Sequence, residues 1–489
     1  MSSDFKDVKL YFYDLNAKAN FAINDKNKIF FSGYLGKDVL AASGMFGSDW
    51  GNSTETLRWN SVLNSKLFSN TSFIYSNYDF NIGFQGEGNT VSFNSNIKDL
   101  NLKQDFSFYL NSENTMRFGF NAIHHTITPT RAESSNIVDD KNSRKGLENA
   151  VYVNNSFKAS SKINLDYGLR FSFYNVLGGD IYNVYQNNEL VESIELEDGK
   201  VGKTYYNLEP RISMNYRLNN STSLKIGYAR NTQNLHLMSN STGGSPTDQW
   251  IGNSYNIKPE IADQISLGFS KNFNDNMFEL NAETYYKSMQ NQIDYRDGAN
   301  INTAPDVEME LLFGQGRAYG LEILLKKNRG KLTGWIGYTL SKTERKINGI
   351  NNGDWYNAKN DRTHDLSVVG IYNFTPQWTL SGTFIYATGN AVTFPTGKYV
   401  LNDMVIYQYD RRNADRMPAT HRLDLSATYE VPSKGRYQSS WSFGLYNVYG
   451  RQNPYSIDFR VNKDNPQKID AVQTSLFQWM PSITYNFKF

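Results

Sequence analysis

The stretch Tyr11-Phe12-Tyr13-Asp14-Leu15-Asn16-Ala17-Lys18-Ala19-Asn20-Phe21-Ala22-Ile23-Asn24 decides the fold class. Tyr11, Tyr13, Leu15, Ala17, Ala19, Phe21 and Ile23 fall on one parity. Asp14, Asn16, Lys18, Asn20 and Asn24 fall on the other, with Phe12 and Ala22 as exceptions. Side chains alternate across a strand, so this segment has one apolar and one mostly polar face. Ile163, Leu165, Tyr167, Leu169, Phe171 and Phe173 repeat the pattern against Asn164, Asp166, Gly168, Arg170 and Ser172. Phe278, Leu280, Ala282, Thr284 and Tyr286 do so against Glu279, Asn281, Glu283, Tyr285 and Lys287. These runs exceed the five or six residues of an ordinary strand and match the roughly 9 to 11 that a tilted strand needs to cross a bilayer.

The connections between strands show a second regularity. Short polar turns (Asn24 to Asn27, Asn64 to Lys66, Asn111 to Asn114, Ser160-Ser161, Asn219 to Ser221, Asn274 to Asn276, Asn328 to Gly330, Thr375 to Gln377, Ser433 to Gly435) alternate with longer irregular segments. The long ones are expected near 38–52, 79–90, 127–147, 178–203, 231–260, 290–317, 346–363, 389–420 and 449–473. Short turns at one end and long loops at the other define a transmembrane antiparallel β-barrel, here with about 19 strands. A soluble propeller or solenoid would repeat at a fixed period of about 20 to 50 residues, and none is found.

Composition agrees with this reading. Of 489 residues only 39% are hydrophobic, yet 33 Tyr and 30 Phe raise the aromatic share to 15%. A net charge of +2 gives no footprint for nucleic acid. With no cysteine, disulfides, thiolate catalysis and zinc-thiolate sites are excluded. No apolar run reaches the ~18 residues of a spanning helix, and a closed barrel is the other way to cross a membrane.

Several motifs then carry a family likeness. Leu208-Glu209-Pro210-Arg211-Ile212-Ser213, Leu224 to Arg230, Arg317-Ala318-Tyr319-Gly320-Leu321-Glu322 and Gly337-Tyr338-Thr339-Leu340-Ser341 resemble barrel strands of TonB-dependent outer-membrane receptors, particularly those of Bacteroidota. Arg412-Asn413, Arg416-Met417-Pro418, His421-Arg422-Leu423-Asp424 and Tyr446-Asn447-Val448-Tyr449 extend the likeness. The terminal Tyr485, Phe487 and Phe489 resemble the family's signal for the barrel-assembly machinery.

The resemblance implies a receptor barrel over residues 1–489 in the outer membrane of a Gram-negative cell. Lipid would surround it, and its ligand would be a metal chelate or other large organic molecule. It also implies a barrel of 22 strands filled by a plug. With about 19 strands counted and the first running from the loop side inward, the signal peptide, plug and first strands are expected to be missing, and TonB to act only through that plug.

No catalytic constellation emerges and no cofactor is implied. His124 and His125 are adjacent and point to opposite faces of a strand. Glu279 and Glu283 share their face with Asn281 and Lys287, as a solvated wall would. The loops offer more. Trp355, Tyr356 and Arg362 in one, and Tyr407, Arg411, Arg412 and Arg416 in another, combine rings and guanidinium groups suited to an anionic or aromatic ligand. Asp354, Asp361, Asp410 and Asp415 lie close enough in sequence to neutralise those arginines and anchor the loops instead. The functional expectation is therefore a TonB-dependent importer of a scarce nutrient such as an iron–siderophore complex, a cobalamin or another large organic ligand. A passive porin or a surface adhesin is the alternative.

Overall fold

The computed structural model describes residues 8–42, 46–86, 89–134, 143–238, 248–299, 306–401, 404–433, 435–462, 464–465 and 468–488. Among them there is no α-helix, and the main feature is a single sheet of 20 strands. One of those is the two-residue segment Tyr356–Asn357, so 19 are long strands, matching the expected number.

The chain falls into two compact units, each following one rule of pairing. In the first (Met1–Ser213, Ala229–Asp263 and Gln290–Phe313), strands Val8–Asn24, Asn27–Ala42, Phe46–Val62, Leu67–Gly86, Asn89–Tyr109, Asn114–Ser134, Arg144–Lys158 and Ile163–Leu177 form an antiparallel meander. In the second (Met214–Tyr228, Gln264–Met289 and Gly314–Phe489), the meander runs through Leu332–Ile347, His364–Asn373, Trp378–Ala387, Thr420–Val431, Gln438–Tyr446 and Met480–Lys488.

Register keeps apolar residues together on one face. Leu15 sits opposite Leu35, Phe21 opposite Ile29, and Phe31 opposite Leu57. In the second unit Leu321 faces Leu340, Ile323 faces Tyr338 and Leu325 faces Ile336. Leu15, Phe21, Leu57, Leu321 and Leu340 are all exposed, which inverts the usual inside–outside rule of a soluble protein. Near the short turns this face carries aromatic pairs: Phe273 on Phe278, Trp378 on Tyr429 and Tyr437 on Phe487.

Asx turns explain why the short connections are tight. The Asn24 side chain accepts from the backbone N–H groups of Lys26 and Asn27 at 3.0 Å, Asn64 and Asn111 do the same in their turns, and Asn219 accepts from the Ser221 N–H at 2.9 Å.

Three expected loops are corrected. The described residues of segments 38–52, 79–90 and 127–147 are mostly paired strand, since register continues from Val8↔Ala42 on one side and to Ala42↔Phe46 on the other. Likewise Gly86 pairs with Asn89, and Asn114–Ser134 runs on before Arg144. Ladder hydrogen bonds do not require apolar side chains. Beyond the apolar band the hairpins are instead tied by polar contacts such as Lys37–Asp49 at 2.7 Å and Asn96 to Asn77 at 2.9 Å. Of the other long segments, 178–203, 231–260, 389–420 and 449–473 hold local hairpins, including Asp180–Gln186 with Glu189–Leu196 and Ser456–Val461 with Ile469–Thr474.

Candidate functional site

The polar face of the first unit carries a continuous network. His125 Nδ1 lies 2.8 Å from Asp99, while His124 sits on the apolar side, opposite Leu100 and Leu147, as strand alternation requires. Glu148 receives Arg170 at 3.4 Å and the Asn234 amide at 2.8 Å. Asn253 in turn donates to Asn234 at 2.7 Å and meets His236 Nε2 at 3.0 Å. Glu209 accepts from Ser172 at 2.7 Å and Thr232 at 3.2 Å, and lies 3.4 Å from Arg170. Each buried carboxylate is paired or hydrogen-bonded, as burial of charge demands.

Above it, three loops of the same unit close on Glu308. Its carboxylate accepts from Ser254 Oγ and Asn256 Nδ2, both at 2.6 Å. Asp306 caps the short 3-10 turn by accepting from the Glu308 N–H at 3.0 Å and also receives Tyr185 OH at 3.1 Å. Arg144 pairs with Asp180 at 3.0 Å, lies 4.4 Å from the Tyr182 ring centroid and donates to Ile181 O at 3.1 Å. Tyr205 OH donates to Ser254 O at 2.7 Å, and Lys203 Nζ to Tyr255 O at 2.8 Å. Sequence reading missed this cluster, because residues drawn from three irregular segments and from the starts of the strands Arg144–Lys158 and Val201–Asn219 leave no periodic signal.

Burial, and next the Asp306 charge, push the Glu308 carboxyl above its ordinary value, against the pull of Arg144 and of the Ser254 and Asn256 hydrogen bonds. Burial also raises the phenol of Tyr182 to about 12. A raised carboxyl contributes stability that is fully present below its unfolded-state pKa and is lost as pH rises through the folded value. Hydrogen-exchange protection of the Ser254–Ile257 turn should therefore fall as pH rises out of the acid range, after correction for intrinsic exchange. In Glu308→Gln that dependence should flatten, and an unchanged profile in the variant would show that another group governs it.

In the second unit the expected ligand residues separate. Tyr356 pairs opposite Arg345 on the polar face and is only 4% exposed. Trp355, one residue earlier, lies on the other face, with its ring 4.1 Å from the Arg317 guanidinium. Arg317 faces Glu344 across the ladder on the same side as Tyr319 and Leu321, so Trp355 belongs to the apolar side of the wall.

Arg416 is an anchor. It pairs with Asp361, which is 1% exposed, and donates to the backbone carbonyls of Asp361 at 3.1 Å and Gly389 at 3.2 Å. Asp361 also accepts from the Thr343 N–H at 2.6 Å. Gly389 permits this fold-back, because a Cβ there would lie 1.6 Å from the Met417 carbonyl oxygen.

The two loops are further joined by reciprocal asparagine bonds. Asn351 accepts from the Arg412 N–H at 2.8 Å and donates to its carbonyl at 3.0 Å. Asn357 and Asn413 donate to each other's carbonyls at 3.1 and 2.9 Å. Both Asn351 and Asn413 sit at positive φ, which asparagine tolerates better than most residues. Tyr407 OH donates to Phe459 O at 3.1 Å. Arg362 and Arg411 are exposed and make no side-chain ion pair or hydrogen bond among the described residues. Of the candidate ligand residues, these two present cations to solvent. At the C-terminus Tyr485 and Phe487 lie exposed on the apolar face, Tyr485 opposite Trp441, while Phe489 lies outside the described residues.

With this geometry in view, comparisons give a consistent picture. A family model described as "TonB dependent receptor-like, beta-barrel" matches residues 4–448. No curated protein sequence matches the chain. Among solved structures, the ferric-catecholate import receptor Fiu of E. coli is similar at TM-score 0.62 and 12% identity, over 98% of this chain and 75% of that one. The ferripyoverdine receptor of Pseudomonas aeruginosa is similar at TM-score 0.66 and 12% identity, over 99% and 65%. For BauA, the ferric preacinetobactin receptor of Acinetobacter baumannii, the values are 0.63 and 10%, over 99% and 73%. At such identities the likeness is one of fold.

Proposed function

Because the chain belongs to the TonB-dependent receptor β-barrel family, we propose that it forms the wall and loop vestibule of an importer for an iron chelate or a comparably large and scarce organic ligand. The family's proteins are outer-membrane β-barrels, so the apolar face of the sheet is the lipid face and the polar face is the inner one. TonB-dependent receptors bind ligands such as siderophores and interact with TonB. Residues 1–489 are read as receptor barrel domain.

The observation that carries the reading is the family match over residues 4–448. The polar inner face of the first unit supports it, since the Glu148–Arg170–Glu209 and Asn234–Asn253–His236 chains satisfy the charged and polar groups buried there. Arg362 and Arg411 are the cations proposed to meet an anionic ligand, with Tyr407, Arg412 and Arg416 holding the loops around them.

The test is uptake in the source bacterium. Deleting the gene should abolish energy-dependent uptake of one member of a panel of radioiron chelates and cobalamins, while permeability to small solutes is unchanged. Uptake that continues at the same rate without TonB would overturn the importer and restore the passive channel. Arg362→Gln together with Arg411→Gln should weaken ligand binding by about tenfold if each guanidinium contributes one charge-assisted contact, and unchanged binding by isothermal titration would remove both from the site.

A further inference from the structure

We propose that the lipid face of the second unit carries a binding site for a phosphate-bearing lipid headgroup of net negative charge, built from Lys342, Arg317, Trp355 and Tyr319. It lies at the loop-side edge of the apolar band and is separate from the ligand vestibule.

Register places these groups. Arg317 faces Glu344 and Tyr319 faces Lys342 in the ladder between Leu311–Lys327 and Leu332–Ile347. The same parity leads through Leu321 opposite Leu340 and Ile323 opposite Tyr338 to Lys327, beside the short turn. From Lys327 to Arg317 is about ten residues, or ~33 Å of strand, and at a tilt near 45° this rises by roughly the ~25 Å of a barrel's apolar band. Lys327 therefore marks one edge of the band, and Arg317 with Lys342 marks the other, at headgroup height.

The cations are held in place. Glu344 lies between them, its Oε1 3.2 Å from Lys342 Nζ and its Oε2 2.7 Å from Arg317 Nη2. Trp355 covers the guanidinium at 4.1 Å. Two cations on one buried carboxylate leave a net positive charge, and the Lys342 side chain is 43% exposed. Tyr319 stacks on Tyr286 at 6.4 Å, and the hydrogen-bonded pair Tyr338–His364, 2.8 Å apart, lies further into the band, with His364 opposite Leu340.

A headgroup phosphate would bind Lys342 Nζ and the outer edge of Arg317. Its acyl chains would run down over Tyr319, Leu321, Leu340 and Ile323. A soluble anion would gain the charge contact alone, so the occupant is the lipid.

The receptor, purified in detergent, can be titrated with dioleoyl phosphatidic acid or dioleoyl phosphatidylcholine and read by native mass spectrometry. Phosphatidic acid is expected to be retained over phosphatidylcholine, and Lys342→Glu should cut that preference by about tenfold or more. Lys327→Glu, at the opposite edge, should leave it intact. Heat-modifiable gel mobility reports folding, and if Lys342→Glu does not fold, Lys342→Gln should show a smaller loss of the same sign. Equal retention of the two lipids, an unchanged preference in the folded Lys342 variant, or displacement of the lipid by equimolar inorganic phosphate would each overturn the proposal.

Discussion

Replacing Arg416 by Ala should cost about 3 kcal/mol and loosen the 346–363 and 389–420 loops at once, because it leaves a buried carboxylate without its partner. Asp361 is 1% exposed and holds the Thr343 N–H as well as Arg416, so the loss reaches the wall strand through that N–H. The Arg416 side chain, 29% exposed, lets water approach from one side, which places the expected cost at the lower end of the range for broken buried pairs. Hydrogen exchange should show faster opening at Thr343 and at Met417, whose N–H donates to Asn390 O at 3.0 Å. Exchange confined to residues 389–420, with Thr343 unchanged, would mean that Asp361 is held without Arg416.

Ile323→Arg is expected to have an effect of similar size for a different reason. Ile323 lies on the lipid face opposite Tyr338, between Leu321 and Leu325, near the middle of the apolar band. A guanidinium there has neither water nor a carboxylate, and on the lipid face of a barrel it costs about 2 to 4 kcal/mol near the midplane. Glu322, one residue away, faces the inner side, and Glu322→Gln should change stability by a few tenths of a kcal/mol, as surface substitutions do. Urea unfolding in liposomes measures both. Equal losses would contradict the division into faces.

The legible part of the fold follows from where residues are forced to alternate. Within the bilayer one side of each strand meets hydrocarbon and the other water, so Ile163 to Phe173 and Phe278 to Tyr286 could be read directly from their period of two. Beyond it both sides meet water, the period vanishes, and the paired segments near 38–52 and 79–90 looked like loops, although their ladders continue. The loops were harder still. The composition of 355–362 and 407–416 pointed to rings and guanidinium groups, and nearby aspartates to their neutralisation. Asp361 meets the second expectation by binding Arg416, whereas the placement of Trp355 and Tyr356 on opposite faces follows only from the bridge of Arg345 to Tyr356. Glu308 could not be found from sequence, since its partners Ser254, Asn256 and Arg144 come from distant segments and match no motif.

The absence of cysteine opens the most direct test of the barrel wall. Single cysteines introduced one at a time from position 319 to 325 can carry a nitroxide spin label in the receptor reconstituted in liposomes, with collision rates measured against oxygen, which enters lipid, and against a water-soluble nickel chelate. Oxygen collisions should peak at 319, 321, 323 and 325 and chelate collisions at 320, 322 and 324, repeating every second residue. Collision rates that vary smoothly along the segment, or chelate access highest at 321 and 323, would contradict a strand with lipid on one side and a hydrated interior on the other.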